Sequence, residues 1–175
     1  EKESIPYWTK FLQGYYDESG ISSDSFEQAV RVTVSGDVNV SPAMAEQGIK
    51  LQTGVRTSVY YMGFNMLDPV VGGKTPEEQH RAKLLRQALS IALDQEEFIS
   101  IFLNGRGQPG MGPIPPGIFG HLPGQAGINP VVYTWKDGAP QRRSLDEARA
   151  LLAQAGWDNG RDARTGQPLV LNLDT

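Results

Sequence analysis

The sequence predicts an α/β fold, in which helices flank a mixed sheet. Three observations favour this class: helical patterns alternate with short strand-like runs, helix-capping signals recur, and no internal repeat or low-complexity tract is present. The chain has 175 residues, of which 39% are hydrophobic and 21% charged. A globular chain of this length and composition can bury a core without disulfide or metal staples.

Six helices are predicted. Apolar residues at helical spacing indicate the first over residues 4–14, and short helices are expected after Asp24 or Ser25 and after Ser41-Pro42. The remaining three begin with capping-box patterns, in which Thr, Asp or Ser precedes Glu by three residues: Thr75 and Glu78, Asp94 and Glu97, Ser144 and Glu147. Apolar stripes after these pairs predict faces that pack on a core.

Strands are predicted over residues 15–21, 49–66 and 168–173. The run Val59–Asn65 has high strand propensity and few polar residues, which is typical of a central strand covered on both faces. Residues 105–143 are rich in Gly and Pro without periodicity, so they are predicted to form a long loop. Loops of this length are usually functional or packed against another domain.

Composition excludes several classes of function. The formal net charge of −4 argues against nucleic-acid binding, which needs a basic surface to neutralise phosphates. The absence of cysteine excludes disulfides and thiolate metal sites, and two isolated histidines, His80 and His121, do not make a metal site. The apolar runs are shorter than a membrane helix needs. We expect no metal and no cofactor.

Catalytic motifs are also missing. The sequence has no G-x-S-x-G elbow, and the Gly-rich stretch from Gly105 to Gly112 lacks the G-K-[ST] ending of a phosphate loop. The carboxylates are better explained by helix capping or by solvation, although counting them leaves a glycosidase- or esterase-type enzyme open as an alternative. The expectation is therefore a protein that is not an enzyme.

Four segments resemble one family in the right order: FLQGYYDESGI, SVYYMGFNM, the long stretch KLLRQALSIALDQEEFISIFLNGRGQPGMGPIPPG, and SLDEARALLAQAGW. Together they are similar to family 5 of the bacterial extracellular solute-binding proteins, which includes the dipeptide-, oligopeptide- and nickel-binding proteins of ABC importers. The chain departs from the family pattern at Tyr15-Tyr16, where relatives have a more polar pair, and at Ser144, where an aspartate-containing start is usual.

The resemblance implies a type II periplasmic-binding-protein fold, of which residues 1–175 would form a fragment of the second, C-terminal lobe. Glu1 in place of an initiating Met and the apolar run before Thr175 fit a segment of a longer protein. The implied function is capture of a small solute, most often a peptide, between this lobe and a missing first lobe. The implied partner is an ABC permease, and the implied location is the periplasm or the cell surface. A sensory binding protein on the same fold is an alternative.

The predicted ligand-binding residues are Gly20, Ile21, Ser22, Ser23 and Asp24. In open α/β sheets ligands bind beyond the carboxyl ends of strands, and these residues follow the strand predicted over 15–21. Relatives also place ligand contacts near this turn. The alternative is that Ser22, Ser23 and Asp24 only cap the next helix.

Overall fold

Helices dominate the computed structural model, which describes residues 4–32 and 38–173. Within those residues the α-helices are α1 (Ser4–Leu12), α2 (Phe26–Ala29), α3 (Pro42–Glu46), α4 (Pro76–Ala92), α5 (Gln95–Phe102) and α6 (Leu145–Gln154), and a 3-10 helix spans Gly124–Gly127. The strands are β1 (Val30–Val32), β2 (Val38–Val40), β3 (Tyr133–Lys136), β4 (Ala139–Arg142), β5 (Trp157–Asp158) and β6 (Arg161–Asp162). No helix among the described residues is long and apolar enough to cross a bilayer.

The strands of the described residues form three separate antiparallel pairs, β1 with β2, β3 with β4, and β5 with β6. Two of these hairpins close through an Asx-Gly turn. Asp137 and Gly138 have φ angles of 53° and 79°, and Asn159 and Gly160 have φ angles of 48° and 75°. Positive φ at both central residues is the requirement of the type I′ turn, whose twist matches that of the flanking strands.

The chain divides into two compact units. The first comprises Glu1–Arg56 and Glu96–Gln108. Its core is a cluster of four buried residues, Trp8, Ala29, Val30 and Met44, against which partly buried side chains of α1, α2 and the following segments pack. The Trp8 indole also donates a hydrogen bond to the Gln28 amide oxygen (3.1 Å), so the polar edge of this large side chain is satisfied.

The second unit comprises Thr57–Gln95 and Pro109–Thr175. Its centre is the packing of α4 on α6, where Ala88 and Ile91 contact Ala148, and Leu151 and Leu152 extend the cluster. The small residues on both helices allow this close approach.

All six predicted helices are present. The capping boxes of Thr75 with Glu78 and of Ser144 with Glu147 are complete, with the hydroxyl accepting from the Glu backbone N–H and the Glu carboxylate accepting from the cap residue's N–H. These helices are predictable because a cap is a local interaction that four consecutive residues complete. Helices together with strands agree with the predicted α/β class.

The three predicted strands are wrong in detail. Residues 15–21 are irregular and follow a turn at Gly14 (φ 80°), and residues 49–65 form no strand before the turn at Met66. Residues 168–173 make only an isolated bridge, from Pro168 to Arg161. The physical reason is that strand propensity reports a preference for an extended, half-buried backbone, whereas a strand needs a hydrogen-bonding neighbour. Among the described residues the first two segments have no paired strand and the third has only the bridge at Pro168, so no mixed sheet forms there.

The long loop predicted over residues 105–143 also needs correction. Its C-terminal half, residues 124–143, contains the 3-10 helix and the β3–β4 hairpin. The reason is the Asp137-Gly138 turn, which overrides the general Gly and Pro content of the region by fixing a tight reversal. Irregular structure is confined to the residues before it.

Candidate functional site

The predicted ligand-binding residues lie on the surface of the first unit, in the turn between α1 and α2. Gly20, Ser23 and Asp24 are exposed, whereas Ile21 and Ser22 are partly buried. Ile21 packs against the apolar core cluster of this unit. One side chain therefore anchors the turn to the core while its neighbours remain accessible to solvent.

The side chains of the turn do not cap α2. The N-cap of this helix is Ser25, which makes no side-chain capping hydrogen bond. The Ser22 hydroxyl bonds instead to the Ser25 hydroxyl (3.2 Å), and the turn is closed by backbone bonds from Ser25 N to Ser22 O (3.2 Å) and from Phe26 N to Ser23 O (3.3 Å). The capping alternative for Ser22, Ser23 and Asp24 is thus not what the structure contains.

The end of α5 holds the turn from one side. The Arg106 guanidinium donates to the Ile21 carbonyl oxygen and to the Ser23 hydroxyl (3.0 Å). The Asn104 amide donates to the Ser23 carbonyl oxygen (3.4 Å), and the Ser23 hydroxyl donates to the Phe102 carbonyl oxygen (3.4 Å). The contacts of Arg106 and Asn104 join residues more than 80 positions apart in sequence. Neither residue belongs to the site predicted from the sequence.

Several backbone donors of the turn have no acceptor among the described residues. The backbone N–H groups of Gly20 through Asp24 donate to no other described residue. Successive free N–H groups in a turn attract carbonyl or carboxylate oxygens, because each N–H carries a partial positive charge. The arrangement can bind a polar solute group by hydrogen bonding, without any covalent chemistry.

A second concavity lies on the other unit. It is a surface groove of about 530 Å³ along the first half of α4, lined by Met66, Gly72, Gly73, Gln79, His80, Lys83 and Arg86. The Arg86 guanidinium donates to the Val71 carbonyl oxygen, so it also holds the loop that forms one wall. None of the residues predicted to bind ligand lines this groove.

The other residues considered from the sequence have structural surroundings. His80 is exposed on α4. His121 Nδ1 donates to the Ile114 carbonyl oxygen (2.9 Å), which closes the loop around it. The Asn65 side chain accepts from the Leu67 N–H (3.0 Å), so it bonds to nearby backbone. Tyr61 is 86% exposed, because the segment that carries it pairs with no strand of the described residues.

Three carboxyl groups have a pKa below the ordinary value, and each shift has a structural cause. Hydrogen bonds from the backbone N–H groups of Thr75 and Lys74 lower the pKa of Glu78. The N–H of Ser144, followed by the Arg143 guanidinium, lowers the pKa of Glu147.

The third carboxyl group is that of Asp162. Its pKa is lowered by a hydrogen bond from the Arg164 backbone N–H and then by a hydrogen bond from the Arg81 side chain. Such shifts keep carboxylates ionised, whereas a catalytic acid needs a raised pKa. Among the described residues no group of three or more His, Cys, Asp or Glu side chains could hold a metal ion.

Comparison with protein families gives one match, to the bacterial extracellular solute-binding proteins, family 5 Middle, over residues 13–175. Comparisons with curated proteins and with solved structures found no match. The family match includes α2–α6, all three hairpins and the turn at residues 20–24. The chain belongs to family 5 of the bacterial extracellular solute-binding proteins.

Proposed function

We propose that this chain is part of one lobe of a two-lobed solute-binding protein that captures a peptide-like solute and delivers it to an ABC permease. A solute-binding role in transport follows from family membership. The peptide, the permease, the missing lobe and a periplasmic or cell-surface location are our extensions of that role. Solute contacts with both lobes would favour hinge closure, and the closed form would be the state that the permease recognises.

Gly20, Ile21, Ser22, Ser23 and Asp24 are the proposed solute contacts. The observation that supports them is that their backbone N–H groups donate to no acceptor among the described residues. Peptides carry carbonyl and carboxylate oxygens, which are the acceptors that such donors need. Binding that relies on backbone donors suits a receptor for solutes with varied side chains, because it contacts what all peptides share.

The exposed apolar surface of the second unit supports a missing lobe. Tyr60 is 95% exposed, Tyr61 86%, Met62 65% and Leu67 91%. The first three lie in a segment that pairs with no strand of the described residues, and Leu67 lies in the turn that follows it. A contiguous apolar surface of this kind usually contacts another part of a protein. We propose that it contacts chain of the same protein that lies outside residues 1–175.

The test is isothermal titration calorimetry of the full-length gene product with peptide and oligosaccharide libraries, alongside the 175-residue chain. We expect peptide binding by the full-length protein and much weaker binding by the shorter chain. Release of hydrolysis products, followed by mass spectrometry, would contradict the proposal. Genes for two permeases and two ATPases beside this one would support transport over a sensory role.

A matched pair of variants tests the turn itself. Gly20 and Gly54 both have open space where a Cβ would project, and neither has a positive φ. Gly20→Leu should lower solute affinity about tenfold because it adds a bulky side chain to the proposed contact turn, whereas Gly54→Leu should not. Both should keep the free energy of unfolding within about 0.5 kcal/mol, as exposed substitutions usually do. Equal affinity in the two variants would remove residues 20–24 from the site.

A further inference from the structure

We infer that Arg106 is a positioning residue that fixes the conformation of the turn at residues 20–24. Its relevance to solute binding depends on the proposed function, whereas its effect on the turn does not. Arg106 lies in the loop after α5, far from the turn in sequence, and no motif connects the two.

The contacts of Arg106 occupy three sides of its guanidinium. Nε donates to the Leu103 carbonyl oxygen (3.0 Å), which ties the side chain to the end of its own helix. Nη1 donates to the Ile21 carbonyl oxygen and Nη2 to the Ser23 hydroxyl (3.0 Å). The Arg106 Cζ lies 5.1 Å from the centre of the Phe26 ring, within the range of a cation–π contact. One planar group thus contacts both the turn and the first residue of α2.

The backbone before Arg106 orients it. Asn104 and Gly105 have φ angles of 52° and 72°, and the Gly105 N–H donates to the Ile99 carbonyl oxygen (3.0 Å). This left-handed end to the helix turns the chain so that Arg106 projects back over the turn. The Asn104 side chain reaches the same turn, through the Ser23 carbonyl oxygen.

Geometry distinguishes arginine from lysine at this position. The Ile21 and Ser23 acceptors are met by different nitrogens of one rigid fork. A lysine ammonium keeps the charge but lacks the planar fork and the stacking on Phe26. A role in positioning therefore predicts that Arg106→Lys restores the turn only in part, whereas a purely electrostatic role predicts full restoration.

The test is hydrogen exchange, measured by mass spectrometry or NMR on the 175-residue chain, at the Ser25 and Phe26 amides that close the turn. We expect Arg106→Ala to speed exchange of these amides about three- to tenfold, because this is the effect of losing a partly exposed, charged hydrogen bond. Arg106→Lys should lie between. Arg56→Ala is the matched control, since it removes the same charge from an exposed residue that makes no hydrogen bond or ion pair with a described residue.

Each outcome decides the inference. Unchanged exchange in Arg106→Ala, or full recovery in Arg106→Lys, would overturn it. If the full-length protein binds tripeptides, Arg106→Ala should also weaken their affinity, with Arg56→Ala unchanged. If it binds none, the proposed function fails while the exchange result still decides the role of Arg106.

Discussion

Arg81 on α4 provides the sharpest test of what holds the second unit together. Its Nη2 forms an ion pair with Asp162 Oδ2 (2.7 Å) and a hydrogen bond with the Gly156 carbonyl oxygen (3.2 Å). Its Nε donates to the Ala155 carbonyl oxygen, and its Cζ lies 4.5 Å from the centre of the Trp157 ring. One side chain thus fastens the end of α6 and the β5–β6 hairpin to α4.

The cost of Arg81→Ala follows from the burial of these groups. The side chains of Arg81 and Asp162 are 22% and 13% exposed. Removing one partner of a fully buried pair costs about 3–5 kcal/mol, and an exposed pair contributes about 0–1 kcal/mol. Asp162 keeps hydrogen bonds from the N–H groups of Arg164 (2.8 Å) and Thr165 (3.2 Å), so the loss should be intermediate. We expect about 2–3 kcal/mol.

The assay is urea unfolding followed by tryptophan fluorescence, with thermal unfolding as a second measure. A loss of that size should lower Tm by about 4–12 °C in a chain of this length. The matched control is Arg164→Ala, which removes the same charge and breaks the ion pair with Glu77 (2.8 Å). The side chains of Arg164 and Glu77 are 66% and 75% exposed. The control should cost less than about 1 kcal/mol. If the two variants differ by less than about 0.5 kcal/mol, the account of Arg81 is refuted.

The remaining predictions concern two serine hydroxyls at helix N-termini and the dependence of stability on pH. Ser144→Ala should destabilise the chain by about 1 kcal/mol because it removes a capping hydrogen bond. Ser41→Ala should be neutral or stabilising, since its buried hydroxyl has no partner among the described residues; a cost equal to that of Ser144→Ala in urea unfolding would contradict this. Because folding lowers the pKa of Asp162, Glu147 and Glu78, stability should be complete above their unfolded pKa of about 4 and should fall as pH drops through the folded values. If the free energy of unfolding stays constant from pH 5 down to the pH at which the chain unfolds, these carboxyl groups do not contribute pH-dependent stability.

Helices were predictable because their signals are local. Thr75 and Ser144 each begin a helix through contacts within four residues, and the structure places both as expected. Strands were not predictable, because Val59 and its neighbours have strand propensity but pair with no strand among the described residues. The β3–β4 hairpin was missed although its signal was present: Asp137-Gly138 after the β-prone run Tyr133–Lys136 predicts a tight turn, and the surrounding Gly and Pro content obscured it.

The candidate site divides in the same way. Residues 20–24 could be proposed from the sequence because a turn with glycine and hydroxyl side chains follows an aromatic run. The contribution of Arg106 could not, because its contacts depend on how α5 packs against the turn. Sequence spacing contains no information about an interaction between residues this far apart when neither belongs to a motif.

The unpaired segment that contains Tyr60 and Tyr61 also affects the chain's behaviour in concentrated solution. From Thr57 to Leu67 the sequence has no charge and no proline, and its aromatic and apolar side chains favour extended backbone. Such segments stack with copies of themselves into fibrils. Arg56 precedes the segment and Asp68-Pro69 follows it, and residues of these types act as gatekeepers that oppose stacking. Exchanging Asp68 for an apolar residue would remove one of these barriers and favour precipitation.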